Sequence, residues 1–277
     1  VGITATEGYP AASPKARLLG KPTAPAVIKA MPRYDFRIPR LYLTAPLRDG
    51  EEVMLDRAKV NYLRNVLRLK QGDEVLLFNG RDGEWRARLS GSGKRELSVA
   101  VGECLRQQPN PPDLHFLFAP LKHARLDYLV QKAVELGVSR LQPVITRHTQ
   151  VARVNLERMG ANVIEAAQQC GVLALPDVAE PAAFAAAIAG AGRLMVFCDE
   201  DAEVKDPVTA LLAARGTGPL SVLTGPEGGF AEDERQALLE RQDVVRISLG
   251  PRILRADTAA VAALALVQAV LGDWRGG

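Results

Sequence analysis

The sequence is poor in the residues that carry metal, disulfide and redox chemistry. Its 277 residues include three cysteines and three histidines, and neither type recurs at a spacing that suits a zinc site or a disulfide framework. Cys104, Cys170 and Cys198 stand far apart, and His115, His123 and His148 have no partner pattern. We expect no metal and a reducing, cytoplasmic compartment. No apolar run reaches the ~20 residues of a membrane span. The nearest, Ala259 to Leu271, is short and rich in alanine, which predicts a buried or interface helix. Residues 1–30 lack the compact apolar core of a signal peptide. They are rich in Ala, Pro and Gly without an amphipathic period, so they are expected to be a disordered extension, with Met31 as a natural beginning. Two phosphate-cradling patterns, Gly-x-Gly-x-x-Gly and Gly-x-x-x-x-Gly-Lys-[Ser/Thr], are missing as well.

What is present fits a chain with ample core for two domains. Hydrophobic residues make up 47% and charged residues 24%, as in soluble globular proteins. The net charge of +3 is unevenly spread: residues 1–113 carry nineteen Lys and Arg against thirteen acids, and residues 114–277 carry sixteen against nineteen. A basic front and an acidic back suit a nucleic-acid-facing module attached to a catalytic one.

One local plan occurs twice between Ser221 and Leu271. An apolar run, Ser221–Thr224, is broken by Gly225-Pro226-Glu227-Gly228-Gly229-Phe230 and followed by a helix-like segment from Glu232 to Arg241. A second run, Val244–Leu249, is broken by Gly250-Pro251-Arg252-Ile253-Leu254-Arg255-Ala256-Asp257 and leads into the alanine-rich helix. Two such units place two glycine-bearing loops at the carboxyl edge of a parallel sheet, where open α/β folds bind ligands. Glycines let a loop offer main-chain groups to a flat ligand at close range. Glu227 at the centre of the first loop would repel a phosphate, so a neutral or cationic ligand bearing an adenine fits better. A bare tight turn over Gly225–Gly229 is the alternative.

These two loops, Leu223 to Phe230 and Leu249 to Ala259, resemble the cofactor loops of RsmE-type enzymes. Those are bacterial methyltransferases of the SPOUT superfamily that act on N3 of a uridine in 16S ribosomal RNA, the family's uridine 1498. The likeness extends from about Met31 to the C-terminus. It implies S-adenosylmethionine as cofactor, the small ribosomal subunit as partner, no membrane or metal, and a homodimer formed through the C-terminal domain. It also implies an α/β fold: a C-terminal trefoil-knotted domain with a parallel sheet over 114–277, behind a small PUA-like β-barrel over 31–106. Residues 107–113, with three prolines, form the linker.

Short strands around one helix, Asp56 to Leu67, read independently as a small barrel. The segment Tyr62–Arg68 with Gly72-Asp73 resembles the family's RNA-binding signature. Arg64 and Arg68 are four apart and are expected to share a helix face toward phosphates; Arg40 and Arg147 join them as expected RNA contacts. Lys132–Val138 is similar to a family signature, although Lys132 and Glu135 also suit a plain ion pair. The family's Glu-Gln-Cys-Gly-Arg stands here as Gln168-Gln169-Cys170-Gly171-Val172, a departure that places a substrate role at 168 and 172 in question. The acidic stretch Asp199–Glu203 reads as solvated surface.

For the cofactor we expect main-chain contacts from Leu223, Thr224, Gly225, Pro226, Glu227, Gly228 and Gly229, and from Ser248, Leu249, Gly250, Ile253 and Leu254. For catalysis Arg252 and Arg255 are candidates to stabilise charge on the uracil oxygens. Asp257 is a candidate base or arginine partner, or with Thr258 a cap for the last helix. Two other classes remain. A nicotinamide-dependent oxidoreductase is disfavoured by the missing dinucleotide fingerprint, and a non-catalytic RNA-binding protein is favoured only by the altered 168–172 segment.

Overall fold

The computed structural model describes residues 37–91, 97–151, 153–190, 192–214 and 218–275. The extension expected over 1–30 lies outside the described residues. Two sheets organise the rest. The first contains β1 (Arg40–Tyr42), β2 (Glu52–Met54), β3 (Glu74–Phe78), β4 (Glu84–Ser90) and β5 (Ser98–Arg106), in the order β1-β3-β4-β5-β2. Alternation along these strands turns Leu41, Val75, Leu77, Ala87, Leu89, Val99 and Val101 into one apolar core. The turn from β3 to β4 needs glycine at residue 83, where φ is +86° and a Cβ would lie 2.3 Å from the Arg106 carbonyl oxygen. β2 is a three-residue edge strand too short to leave a pattern in the sequence.

The helix expected over 56–67 starts as read. Asp56 caps it, accepting the Lys59 N–H at 2.9 Å, and α1 runs from Arg57 to Asn61. It then widens into a π-helical turn over Tyr62–Val66, closed by the Leu67 N–H on the Tyr62 carbonyl at 3.0 Å. The wider turn buries Leu63 completely. It also ends the helix before Arg68, whose φ of 58° is left-handed. Arg64 and Arg68 therefore do not share a helical face, because the i,i+4 rule fails once the turn is no longer α. Arg68 is exposed.

Residues 107–113 have no regular structure and lead into the second sheet. Its strands are β6 (Leu114–Phe118), β7 (Arg140–Ile145), β8 (Asp177–Val178), β9 (Ala182–Ala183), β10 (Leu194–Cys198), β11 (Leu220–Thr224) and β12 (Val244–Ile247). The order is β12-β10-β11-β6-β7-β8, with β9 also on β7, and every pairing is parallel. Side chains of even period divide between two layers. Phe116, Val196 and Val222 pack on one face under α2 (His123–Glu135), α3 (Leu156–Cys170), α5 (Pro207–Ala213) and α7 (Ala256–Val270). Leu117, Met195, Phe197 and Leu223 pack on the other, under α4 (Phe184–Ile188) and α6 (Glu232–Leu239). Each fully buried aliphatic or aromatic side chain contributes roughly 1.5–3 kcal/mol, and burial on both faces explains why these strands read as unbroken apolar runs.

The two sheets meet at the carboxyl end of α3. Glu84, 2% exposed, accepts Arg40 Nε at 2.7 Å and Arg106 Nε and Nη2 at 2.7 and 2.8 Å. Both guanidinium groups reach on to the last carbonyls of α3 and beyond: Arg40 to Ala167, Gln168 and Val172, and Arg106 to Gly171. A helix carboxyl end carries unsatisfied carbonyls and partial negative charge, so two arginines suit it. Gln168 Oε1 adds a bond from the Tyr42 N–H at 2.8 Å. This corrects the expectation for Arg40. At 5% exposure, with its charge committed to Glu84, it joins the two sheets and is not presented to RNA.

Candidate cofactor and substrate site

Because the second sheet is parallel, the loops after β6, β7, β10, β11 and β12 all emerge at one edge. The chain leaves β6 for α2 on one face and leaves the neighbouring β11 for α6 on the other. Adjacent strands whose connections part to opposite faces open a crevice at their carboxyl ends, the position where open α/β sheets bind ligands.

The first glycine loop lies on this crevice. Phe230 anchors it, its ring 5.7 Å from that of Phe184 and 5.3 Å from that of Phe197. That ring lies against Gly225, where a Cβ would come within 2.7 Å of it. The Gly229 N–H closes a turn on the Pro226 carbonyl at 2.9 Å, and Gly229 holds a φ of +70°. Neighbouring edges grip the loop from two sides. Arg125 of α2 pairs with Glu227, and His148 Nδ1 lies 3.2 and 3.1 Å from the carbonyl oxygens of Gly228 and Gly229. Leu223 and Thr224 are buried at the end of β11.

The second loop follows β12. Ser248 is buried and Gly250 takes a φ of +98°. Beyond it Pro251, Arg252 and Ile253 stand out, Ile253 at 95% exposure, while Leu254 is half-buried. Arg252 and Arg255 are exposed, and neither forms an ion pair among the described residues. Arg255 is the residue before the first turn of α7, and Asp257 accepts the Thr258 N–H at 2.9 Å. Asp257 lies inside the first turn of α7, and the N-cap position, Arg255, makes no side-chain cap bond.

The loop after β10 departs from its reading as plain solvated surface. Asp199 is 6% exposed and accepts Arg246 Nε at 2.8 Å and Arg235 Nη2 at 3.1 Å. Burial opposes its charge, yet the Asp201 N–H and the two arginines outweigh it and hold the carboxyl below its ordinary range. Glu200, Asp201 and Glu203 are exposed as expected. The two bonds that Asp199 accepts tie β12 and α6 to the end of β10.

Arg147 is exposed and pairs with Asp233 at 2.5 Å, while its N–H bonds to the buried Glu234 at 2.8 Å. Lys132 pairs with Glu135 at 2.7 Å, the plain ion pair considered above. Sequence reasoning missed Lys122 and Arg125 and marked His148 only as part of the segment beyond a strand end; all three line a cavity in the crevice together with Pro226 and Glu227. They come from segments far apart in the chain, and nothing in their spacing marks them.

Residues 108–268 match the RNA methyltransferase domain, and residues 55–101 match the RNA methyltransferase PUA domain. The chain belongs to this RNA methyltransferase family. A ribosomal RNA small subunit methyltransferase E of Rickettsia conorii is 33% identical over 83% of this chain and 94% of its own. One from Synechocystis is 32% identical over 79% of this chain and 73% of its own. The crystal structure of a ribosomal RNA small subunit methyltransferase E from Neisseria gonorrhoeae, bound to S-adenosyl methionine, is 30% identical with a TM-score of 0.74. It covers 86% of this chain and 99% of the solved one. A methyltransferase from Legionella pneumophila, also solved with its cofactor, gives a TM-score of 0.75 at 27% identity over the same shares. This chain is an RsmE-type RNA methyltransferase, with a parallel α/β domain behind a PUA-like sheet.

Proposed function

We propose that this enzyme transfers the methyl group of S-adenosylmethionine to N3 of a uridine in 16S ribosomal RNA, the family's uridine 1498. The observation that carries the reading is the pair of glycine loops at one sheet edge, beside two exposed arginines without ion-pair partners among the described residues. The loops fit the donor. Gly229 and Gly250 leave the main chain uncovered, Gly225 is closed against Phe230, and no phosphate-binding pattern competes. When bound, S-adenosylmethionine supplies an electrophilic methyl carbon on a sulfonium.

In this reading the main chain of Leu223–Gly229 and of Ser248–Leu254 holds adenine, ribose and methionine groups. Arg252 and Arg255 stabilise negative charge on the uracil oxygens as N3 loses its proton. Arg64, Arg68 and Arg147 hold the RNA backbone, and the target base is unpaired, since N3 lies on its Watson–Crick edge. Residues 31–106 form the RNA-binding module, 107–113 the linker and 114–277 the catalytic domain. Burial supports a homodimer: α7 leaves Val261, Ala262, Ala265 and Leu266 half-covered, and Ile253 stands in solvent. The knot of the superfamily and a cytoplasmic setting complete the reading.

The test is methylation of small ribosomal subunits lacking the modification, with labelled donor and mass-spectrometric mapping. Label recovered as 3-methyluridine at the family position is expected. Label on another base or on ribose overturns the assignment. The altered 168–172 segment no longer favours a non-catalytic protein, because Gln168, Gly171 and Val172 join the two sheets.

A further inference from the structure

Methyl transfer to N3 needs a group to receive the N3 proton, and the carboxylate of Asp257 already accepts the Thr258 N–H at 2.9 Å in the first turn of α7. The crevice between β6 and β11 offers another. Its cavity measures about 470 Å³, within the range of roughly 300–1,000 Å³ that small-molecule sites occupy. Lys122 and Arg125 line it from the segment after β6, Glu227 from the first glycine loop, and His148 from the turn after β7. That turn is fixed: Thr149 Oγ1 accepts the Thr146 N–H at 2.9 Å, and the Thr149 N–H returns to the Thr146 carbonyl at 3.2 Å.

The surroundings of the His148 ring favour one tautomer. Its Nδ1 faces two carbonyl oxygens, those of Gly228 and Gly229, at 3.2 and 3.1 Å. Both oxygens only accept, so Nδ1 carries the proton and donates it. In the neutral ring Nε2 then keeps its lone pair. The side chain is exposed on the cavity, and the carbonyls that orient it belong to the loop read above as holding the methyl donor.

We propose that His148 is the proton acceptor of the reaction, taking the N3 proton of the acceptor uracil on Nε2. The proposal rests on the uridine-N3 reading above. The N3–H bond breaks and its proton passes to Nε2, leaving an imidazolium whose two N–H groups are oriented by the same carbonyls and by the substrate. The N3 electron pair forms the bond to the methyl carbon while the carbon–sulfur bond of the donor breaks with its pair on sulfur. The imidazolium afterwards releases its proton to solvent. With Arg125 paired to Glu227, Lys122 leaves net positive charge at the same cavity, which suits the approach of a nucleotide. Charged groups around the imidazole are these two cations, Glu227, and Arg147 with Asp233 and Glu234 of α6.

The experiment uses the full chain as wild type, His148→Ala and His148→Gln, with three readouts. Calorimetric affinity for S-adenosylmethionine is expected to stay within about twofold in His148→Gln, whose amide N–H groups can still donate to the loop carbonyls, and to fall further in His148→Ala, which releases the loop. Single-turnover methylation of small subunits at saturating donor is expected to fall about 10²-fold or more in both variants, the usual share of a general base. Added imidazole is expected to restore part of the rate in His148→Ala, and nitrogen NMR of the wild type should show the Nδ1–H tautomer. Unchanged rates in the variants, a neutral ring protonated on Nε2, or a loss of donor affinity that accounts for the whole rate loss each overturn the proposal. A wild type that labels an atom other than N3 sinks the target reading itself; 3-methyluridine formed at full rate by the variants sinks only the role of His148.

Discussion

A Cβ at residue 225 would meet the Phe230 ring at 2.7 Å, and that ring cannot swing away because Phe184 and Phe197 hold it. Gly225→Ala must therefore move the loop. We expect its affinity for S-adenosylmethionine to fall on the order of tenfold, a change of about 1.4 kcal/mol, while the thermal unfolding midpoint shifts little. Arg68 offers the reverse case. A left-handed φ of 58° at a non-glycine residue costs about 1–2 kcal/mol, so Arg68→Gly should raise stability by roughly 1 kcal/mol while weakening binding to ribosomal RNA. Chemical denaturation and a salt-dependent binding titration separate the two effects. Arg255→Ala, which removes an unpaired cation beside the second loop, should lower the single-turnover rate about 10²-fold with donor affinity unchanged. Legibility at this scale depended on where the partner lies. Glycines 225 to 229 announce themselves because the constraint is local. His148 does not, since it bonds to main-chain oxygens 80 and 81 residues away that every residue type possesses.

The joint at the end of α3 shows what elements do that single residues cannot announce. Arg40 begins β1, Glu84 begins β4 and Arg106 ends β5, and together they close on the carboxyl end of α3. Removing one member leaves a buried charge unpaired, which costs about 3–5 kcal/mol. Glu84→Gln should destabilise the protein by about that amount in denaturant titrations. For Glu84 burial works against the charge, but Arg106 and Arg40 outweigh it and hold the carboxyl below its usual range. A carboxyl whose folded value is depressed adds stability above its unfolded value and loses it on acidification. Stability of the wild type should therefore decline as the pH drops below roughly 5, and more steeply than that of Glu84→Gln. The longer strands and helices are readable, because their apolar periods are set by burial on one or two faces, whereas short elements such as β2, β8 and β9 leave no period. The arginine of β1 looked like an RNA contact only because its acid partner lies 44 residues away. The π-helical turn is hidden for a related reason: the core against which it buries Leu63 is built from strands far along the chain.

At the scale of the molecule, the direction in which connections leave the sheet decides where chemistry can occur. The crevice lies between β6 and β11, and both its position and the parallel order follow from the alternation of strand and helix after residue 114. The second half of the chain gave this away, since two strand–loop–helix units in succession admit few arrangements. The route of the front sheet onto α3 was not legible, because it rests on side chains drawn from both sheets. The alanine-rich α7 leaves Leu266 half-covered beside an exposed Ile253. We expect a dimer in light scattering, and Leu266→Glu should shift it toward monomer with loss of activity.

The most direct measurement is a calorimetric titration of S-adenosylmethionine into the wild-type protein and into Gly225→Ala and Gly250→Val, each first shown to be folded. Clear binding to the wild type is expected, weakened on the order of tenfold or more in both variants, because the two glycine loops together form the donor site. Equal affinity in all three proteins would place the donor elsewhere and contradict the account.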